Sequence, residues 1–157
     1  MAPKTVENFV NLCKSGYADS QVHRIVQNGW IQMGDTGSGS KGDGGHSSFS
    51  ERCVSLASIR FLKSCFFFQF ADETFAVEHK SRGMVGMANQ GPHTNQSQFY
   101  ITLEAKPYLD KKYVCFGTVI EGTDVLDQLE NAETFNERPT QPITIIDCGK
   151  FVDHLTE

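Results

Sequence analysis

The sequence predicts a mainly β domain, a barrel or a sandwich of short antiparallel strands with two helices packed against it. Three observations predict this class. Short runs rich in valine, isoleucine and aromatic residues recur along the chain, bounded by Gly, Asn, Asp or Pro. Two other segments repeat apolar residues at helical spacing, and there are no internal repeats. A length of 157 residues fits one domain, so we expect a single domain over residues 1–157.

Two amphipathic helices are predicted. In the first, the apolar residues from Val6 to Leu12 recur close to helical spacing behind Thr5, a capping residue type, and Gly16 is placed to end the helix. The second is predicted to begin after Gly122. Its side chains expected to face inward are Val125, Leu126 and Leu129.

The first two strands are predicted to form a β-hairpin. Val22–Val26 alternates apolar and polar residues, and Trp30–Met33 follows the turn dipeptide Asn28-Gly29. Arg24 and Gln32 are therefore expected on facing strands. An arginine on a half-buried sheet face is unusual. Arg24 is either an exposed side chain paired with a carboxylate or a functional group.

Two segments after the hairpin are irregular. Gly34–Gly45 contains six glycines and is predicted to be a long surface loop. It opens no helix and lacks a Lys-Ser or Lys-Thr ending, which argues against a phosphate-binding loop. Residues 51–70 crowd Phe, Leu, Ser and Cys without helical or alternating periodicity, and we interpret them as an atypical insertion.

The stretch Arg82–Leu103 organises the rest of the chain. Its apolar runs, Met84–Ala88 and Phe99–Leu103, surround a polar loop, which predicts two strands carrying a functional connection. Side-chain amides dominate this connection: Asn89, Gln90, Asn95, Gln96 and Gln98. Neutral amides suit a peptide backbone better than a metal or a phosphate, so the stretch predicts a site that grips peptide.

The remaining elements follow in order. Pro107–Lys112 is predicted to be a loop with two large exposed side chains, and Tyr113–Ile120 a strand. After the second helix, Asn136–Pro142 is predicted to be a polar loop and Ile143–Gly149 a closing strand.

The composition excludes several classes of function. With 14 basic and 19 acidic residues the net charge is −5 and no basic cluster occurs, which argues against a nucleic-acid partner. The five cysteines and five histidines are scattered, so we expect no metal site. The chain has no long apolar run and no signal segment after Met1, which predicts a cytoplasmic protein without a membrane partner.

Seven motifs follow one another along the chain: Pro3–Phe9, His23–Ile25, Met87–Asn89, Gly91–Phe99, Tyr108–Asp110, Val114–Gly117 and Ile145–Gly149. Together they resemble the cyclophilin family of peptidyl-prolyl cis-trans isomerases, and Asn28–Gln32 is most similar to its divergent isomerase-like members. The resemblance implies a cyclophilin-like antiparallel β-barrel with two capping helices and an outer groove for Xaa-Pro segments. Relative to that fold, we expect this chain to be truncated and to lack the first two strands.

The resemblance also implies a catalytic set of four residues: Arg24, Gln32, Asn89 and Gln98. Arg24 would hydrogen-bond the proline nitrogen in the twisted state, Gln32 would steady that region, Asn89 would hold substrate backbone, and Gln98 would shape the site. The implied substrate contacts are Trp30, Ala88, Gln90, Tyr100, Tyr108, Leu109 and Tyr113. Neither a metal nor a cofactor is implied.

The implied proline pocket departs from the family. Gly29 stands where the family has Phe, Trp30 where it has Met, Tyr100 for Phe, Tyr108 for a frequent Trp, and Tyr113 for His. The change at Tyr108 predicts reduced affinity for cyclosporin-type ligands. The sequence therefore predicts a peptidyl-prolyl isomerase acting on proline-containing peptides or proteins. Two alternatives stay open: a binding module or scaffold without turnover, and an inactive truncated isoform.

Overall fold

The structure, a computed structural model, describes residues 2–37, 39–49 and 69–150. The predicted insertion at residues 51–70 lies outside the described residues except for its last two. The described helices are α1 (Pro3–Ser15) and α2 (Thr123–Glu130), and Pro107–Leu109 form a turn of 3-10 helix. The strands are β1 (Arg24–Val26), β2 (Trp30–Met33), β3 (Met84–Met87), β4 (Phe99–Thr102), β5 (Cys115–Thr118), β6 (Thr134–Phe135) and β7 (Arg138–Pro139). These elements confirm the mainly β class with two helices.

Five strands form one antiparallel sheet in the order β1-β2-β4-β3-β5, and β6 and β7 form a separate hairpin. The register pairs Arg24 with Gln32, as the hairpin prediction requires. Asn28 adopts a left-handed backbone, with φ of 55°, in the turn between them. Strands β3 and β4 are the two strands predicted on either side of the polar loop, and they pair with each other. Both predictions are confirmed.

The inner face of the sheet forms the core. The register places Ile25 opposite Ile31, Ile31 opposite Ile101, and Ile101 opposite Val85. These side chains share one face because residues directly opposite each other on neighbouring strands point to the same side of the sheet. Ile31 is fully buried at the centre of this row. The apolar row leaves the opposite face of the same strands available for polar side chains.

Helix α1 covers the core through an aromatic cluster. The ring of Phe9 lies 5.4 Å from Tyr17, 5.0 Å from Phe99 and 5.2 Å from Phe116, measured between centroids. The Phe9 and Phe99 rings meet edge to face, a favourable geometry for aromatic pairs. The helix ends before Gly16 as predicted.

The N-terminus of α1 is capped from a distant part of the chain. The expectation that Thr5 caps the helix is wrong, because Thr5 lies inside α1 and donates its hydroxyl to Glu73 Oε2 at 3.0 Å. The Glu73 carboxylate accepts the N–H groups of Lys4 at 3.0 Å and Thr5 at 2.9 Å. Desolvation raises the pKa of Glu73, but these hydrogen bonds outweigh it and hold the pKa below its ordinary value. A carboxylate here also complements the positive end of the helix dipole.

We expect Glu73→Gln to lower the free energy of unfolding by about 1 kcal/mol, because the amide loses the charge and one acceptor oxygen. Since the folded pKa of Glu73 is lowered, the stabilisation is present above about pH 4 and is lost as pH falls through the folded value. Urea unfolding at pH 7 and at a series of lower pH values measures both effects, and the difference between the two proteins should shrink as pH falls below about 4. Glu78→Gln is the control, since Glu78 is exposed. Equal stability of Glu73→Gln and the parent at pH 7 would contradict the capping role.

The closing strand predicted at Ile143–Gly149 is wrong. Thr144 makes only an isolated bridge with Gln21, supported by a hydrogen bond from Val22 N to Ile143 O of 2.9 Å. The β-branched residues favour an extended backbone, but the segment they lie against, residues 19–22, is itself irregular. Pairing therefore stops after a few hydrogen bonds.

Two further expectations need correction. Part of the polar loop predicted at Asn136–Pro142 is a β-hairpin turn, with Phe135 opposite Arg138. In α2, Leu126 is buried, but Val125 is 51% exposed rather than inward. A helix of 8 residues lying on the surface of the core has room to bury only a narrow stripe.

Candidate active site

The outer face of the sheet carries a row of residues across four strands. The register places Arg24 of β1 opposite Gln32 of β2, Gln32 opposite Tyr100 of β4, and Tyr100 opposite Gly86 of β3. Trp30 shares this face with Gln32, because residues two apart in a strand point to the same side. Side chains that are up to 76 positions apart in the sequence therefore meet on one surface.

Arg24 is held by a carboxylate and an aromatic ring. Its Nε donates to Glu137 Oε2 at 2.7 Å, and its guanidinium carbon lies 5.3 Å from the centroid of the Trp30 ring. The side chains of Arg24 and Glu137 are 44% and 46% exposed. Among the described residues, only Nε of Arg24 has a hydrogen-bond partner. The two terminal nitrogens of the guanidinium therefore keep their N–H donors available.

A chain of amides runs beside the arginine. Trp30 Nε1 donates to Gln32 Oε1 at 3.4 Å, and Gln32 Nε2 donates to Gln98 Oε1 at 2.8 Å. Gln98 Nε2 in turn donates to the carbonyls of Gly42 at 3.1 Å and Gly44 at 2.8 Å. Because the amide oxygen and nitrogen of each glutamine have defined hydrogen-bond partners, the orientation of both side-chain amides is fixed. Gln32 bonds Gln98 and not Arg24, and the steadying role expected for Gln32 at the site stays a prediction.

The glycine-rich loop supplies the end of this chain. Asp35, which is buried, accepts the N–H groups of Gly37 at 2.8 Å, Gly42 at 2.7 Å and Gly44 at 3.2 Å. The loop thus closes around one carboxylate, and this closure aims two glycine carbonyls at Gln98. The described residues of the surface loop predicted here form a wall of the site, and Asp35 is a residue that sequence reasoning missed.

Ala88 and Asn89 are the two residues that directly follow β3. Ala88 N donates to Gln98 O at 3.0 Å, so the backbone after β3 runs beside Gln98. Asn89 Nδ2 donates to Lys112 O at 3.2 Å, and Asn89 Oδ1 accepts from Gly91 N at 3.2 Å. Asn89 therefore ties the polar loop to the segment before β5.

Two recesses open on either side of Asn89. The first has a cavity volume of about 100 Å³ and is lined mainly by polar groups, including Gln32, Gln98, Ala88 and Gln90. The second has a volume of about 360 Å³ and is bounded by Tyr113 with apolar and basic neighbours. Most of the predicted polar set therefore borders one small recess, while Tyr113 borders the larger one.

Tyr100 is turned away from the surface. Its side chain is buried, and its hydroxyl lies 2.7 Å from Nε2 of His79, which is fully buried. Asp110 Oδ1 lies 2.8 Å from both the backbone nitrogen and Nδ1 of His79. Gly86 makes this placement possible, since a Cβ at that position would lie 2.5 Å from Cζ of Tyr100. Asp110, His79 and Tyr100 form a hydrogen-bonded triad beneath the site, in which His79 and Tyr100 are buried and Asp110 is partly exposed.

The protonation of the triad follows from its partners. The hydrogen bonds from the backbone and the ring of His79 hold the pKa of Asp110 below its ordinary value, so the carboxylate only accepts. Nδ1 of His79 then carries the proton that faces Asp110, and Nε2 lies against the Tyr100 hydroxyl. Burial raises the pKa of Tyr100, which keeps that hydroxyl a donor.

The other expected substrate contacts are spread around the triad. Tyr108 is 55% exposed, and Lys106 Nζ lies 5.9 Å from the centroid of its ring. Its neighbour Leu109 is buried, so only one of the two large side chains expected on this loop is exposed. Tyr113 meets the Tyr100 ring edge on, at 5.9 Å between centroids. The substrate-contact roles assigned to these residues stay predictions.

Sequence reasoning missed Glu137 and His79. Glu137 lies 113 positions from Arg24, and no local pattern marks it as its partner. His79 had an indirect signal: a buried tyrosine needs a hydrogen-bond partner, and Tyr100 stands where the family has Phe. The partner itself follows only from the packing of β4 against residues 79 and 110.

Two other classes of site find no candidate in the described part of the chain. Residues 2–37, 39–49 and 69–150 contain no group of three or more His, Cys, Asp or Glu side chains that could hold a metal ion. None of the helices within those residues is long and apolar enough to cross a membrane.

Comparison with known proteins identifies what the chain resembles. The family model described as "Cyclophilin type peptidyl-prolyl cis-trans isomerase/CLD" matches residues 1–150. "Probable inactive peptidyl-prolyl cis-trans isomerase-like 6" from Homo sapiens is 48% identical over 160 residues, covering 95% of this chain and 46% of that protein. The protein of the same name from Bos taurus is 46% identical over 159 residues, covering 94% of this chain and 46% of that protein. The chain therefore spans about half the length of these curated relatives.

A solved structure supports the same assignment. The crystal structure of a cyclophilin-type peptidyl-prolyl cis-trans isomerase from Cryptosporidium parvum superimposes with a TM-score of 0.80 at 31% identity. The match covers 97% of this chain and 86% of that one. The cyclophilin-like fold and the resemblance to isomerase-like members are confirmed.

Proposed function

Since the chain belongs to the cyclophilin-type peptidyl-prolyl cis-trans isomerase family, we propose that it binds Xaa-Pro segments and catalyses rotation about their peptide bonds. The observation that carries the proposal is the outer row of the sheet. It sets the available donors of Arg24 beside the fixed amides of Gln32 and Gln98. One surface thus carries a positive charge to act on the reacting bond and neutral amides to hold the peptide backbone.

The proposed chemistry is differential binding of the twisted amide. Resonance gives the Xaa-Pro bond partial double-bond character, so rotation passes through a state in which the proline nitrogen regains its lone pair. Arg24 is the catalytic residue, because a guanidinium N–H bonds that lone pair only when it has left conjugation. The terminal nitrogens of Arg24 are the donors in position, since Nε is already bonded to Glu137. No covalent bond to the substrate forms or breaks.

The recess beside Gln98 and Asn89 is the proposed site for substrate backbone. A cavity of about 100 Å³ is too small for a large side chain but admits a peptide group. The proline ring would lie against Trp30, because Gly29 contributes no side chain: a Cβ there would lie 2.7 Å from Cγ1 of Val26. Cyclosporin-type ligands would bind with reduced affinity, since Tyr108 provides less aromatic surface than the usual Trp.

A second candidate is a proline-binding module without turnover. Two observations favour it: Tyr100 is withdrawn beneath the surface, which removes apolar contact from the proline pocket, and Glu137 engages Arg24. The relatives at 46% and 48% identity are also named as probably inactive isomerases. A groove of this kind would bind the same peptides and leave their isomerisation rate unchanged.

Exchange NMR on a blocked, uncharged Xaa-Pro peptide separates the two candidates. The uncatalysed bond isomerises over tens to hundreds of seconds, so even weak catalysis is visible as faster cis-trans exchange. We expect the 157-residue chain to accelerate exchange and the peptide to shift the side-chain amide signals of Gln98 and Asn89. Shifts without acceleration would select the binding module. If saturating peptide shows neither faster exchange nor shifted amide signals, both candidate functions are overturned.

A further inference from the structure

The turn between β6 and β7 carries an unusual residue. The pairs Thr134 with Pro139 and Phe135 with Arg138 leave Asn136 and Glu137 as a two-residue turn. Both residues have left-handed backbones, with φ of 50° and 64°. Asparagine tolerates this conformation, but the second position of such a turn favours glycine, and a glutamate there pays a steric cost.

The turn is held next to the outer face of the sheet, where Arg24 lies. Ile25 N donates to Glu137 O at 2.7 Å, which fixes the turn against β1. Arg138 Nη2 donates to Lys41 O at 2.6 Å, which fixes the following residue against the glycine-rich loop. With its backbone held on both sides, Glu137 has its carboxylate aimed at Arg24 Nε.

We propose that Glu137 is a positioning residue that restrains Arg24, holding the guanidinium against Trp30 and weakening its bond to the proline nitrogen. The inference rests on the proposed function. Gln32 bonds Trp30 and Gln98 and not Arg24. Glu137 is therefore the sole hydrogen-bond partner of the Arg24 side chain among the described residues.

The restraint has a geometric and an electrostatic part. The bond at Nε fixes one edge of the planar guanidinium and limits how far its other edge turns toward a substrate. The negative charge also offsets the positive potential that draws the developing lone pair. Both side chains are nearly half exposed, so the pair is weak and is screened by salt. The restraint is therefore graded rather than absolute.

Glu137→Gln tests the proposal, because it removes the charge and keeps the size of the side chain. We expect kcat/KM for a blocked, uncharged Xaa-Pro peptide to rise by about two- to fivefold, the range set by an exposed ion pair. Salt is a second readout. Between about 20 mM and about 500 mM salt, the activity of the parent should rise toward that of the variant, while the activity of the variant stays level.

Two matched variants serve as controls. Glu121→Gln removes the same charge at an exposed position outside the site, and Asn136→Gly relaxes the same turn while keeping the carboxylate. Neither should change kcat/KM. A rise in Asn136→Gly equal to that of Glu137→Gln would assign the effect to the turn and overturn the proposal.

The remaining outcomes separate this inference from the proposed function. If the parent is active and Glu137→Gln is equally or less active, the inference is overturned and the isomerase assignment stands. If neither protein accelerates exchange, the isomerase assignment fails and the effect of Glu137 on Arg24 is read from the Arg24 Nε–H signal alone: an unchanged signal in Glu137→Gln overturns the restraint. The Arg24 Nε–H signal in NMR provides a check without substrate, since it should move upfield in Glu137→Gln and stay unchanged in Glu121→Gln.

Discussion

Replacing Arg24 by alanine is expected to lower kcat/KM for an Xaa-Pro peptide by about 100-fold, which is the effect of removing one transition-state donor in other enzymes. The loss should fall on turnover, because the guanidinium bonds the proline nitrogen only in the twisted state. Exchange NMR for the rate and peptide titration for the affinity measure the two effects separately. We expect the peptide affinity of Arg24→Ala to stay close to that of the parent.

The controls for this prediction use the geometry of Arg24. Arg24→Lys keeps the charge but loses the planar fork of donors, so it should recover only a small part of the rate. The stability of Arg24→Ala should differ little from that of the parent, since the pair with Glu137 is exposed. An Arg24→Ala protein as fast as an active parent would exclude Arg24 as the catalytic residue.

His79→Leu is expected to have the largest effect on stability. His79 is fully buried, so the substitution removes both hydrogen bonds of its ring and leaves the hydroxyl of Tyr100 without its partner. We expect the free energy of unfolding to fall by about 2 to 4 kcal/mol, in keeping with the loss of a buried polar network. Urea denaturation followed by the fluorescence of Trp30 measures this change.

A double variant separates the hydrogen bond from the packing. Tyr100→Phe alone should cost less than His79→Leu, because it leaves only His79 Nε2 unpaired. In the double variant both partners are apolar, so its loss of stability should be smaller than the sum by about 1 kcal/mol or more. Strict additivity of the two losses would show that the contact between Tyr100 and His79 does not stabilise the fold.

The triad also connects stability to the site. Asp110 lies between the exposed Tyr108 and the edge-on Tyr113, and its carboxylate is fixed by His79. The segment that borders the proposed groove is therefore anchored to the same buried histidine that holds Tyr100 down.

Local patterns were enough to predict most of the elements. The alternation around Arg24 and the Asn28-Gly29 turn determined the first hairpin, because a two-residue turn leaves few ways to pair the flanking strands. The amides of Asn89 and Gln98 likewise predicted a peptide-binding set, which stays a prediction. The closing strand at Ile143–Gly149 failed because a pattern records a preference for extended backbone but not whether a straight partner lies beside it.

By itself, then, the sequence determined the fold class, the pairing of Arg24 with Gln32, and the polar groups that could bind peptide. Only the tertiary structure decided what those groups touch: Glu137 rather than Gln32 on Arg24, and His79 beneath Tyr100. The physical reason is that short-range preferences set strands and turns, whereas an ion pair or a buried hydrogen bond joins atoms brought together by packing across 113 and 21 positions of chain.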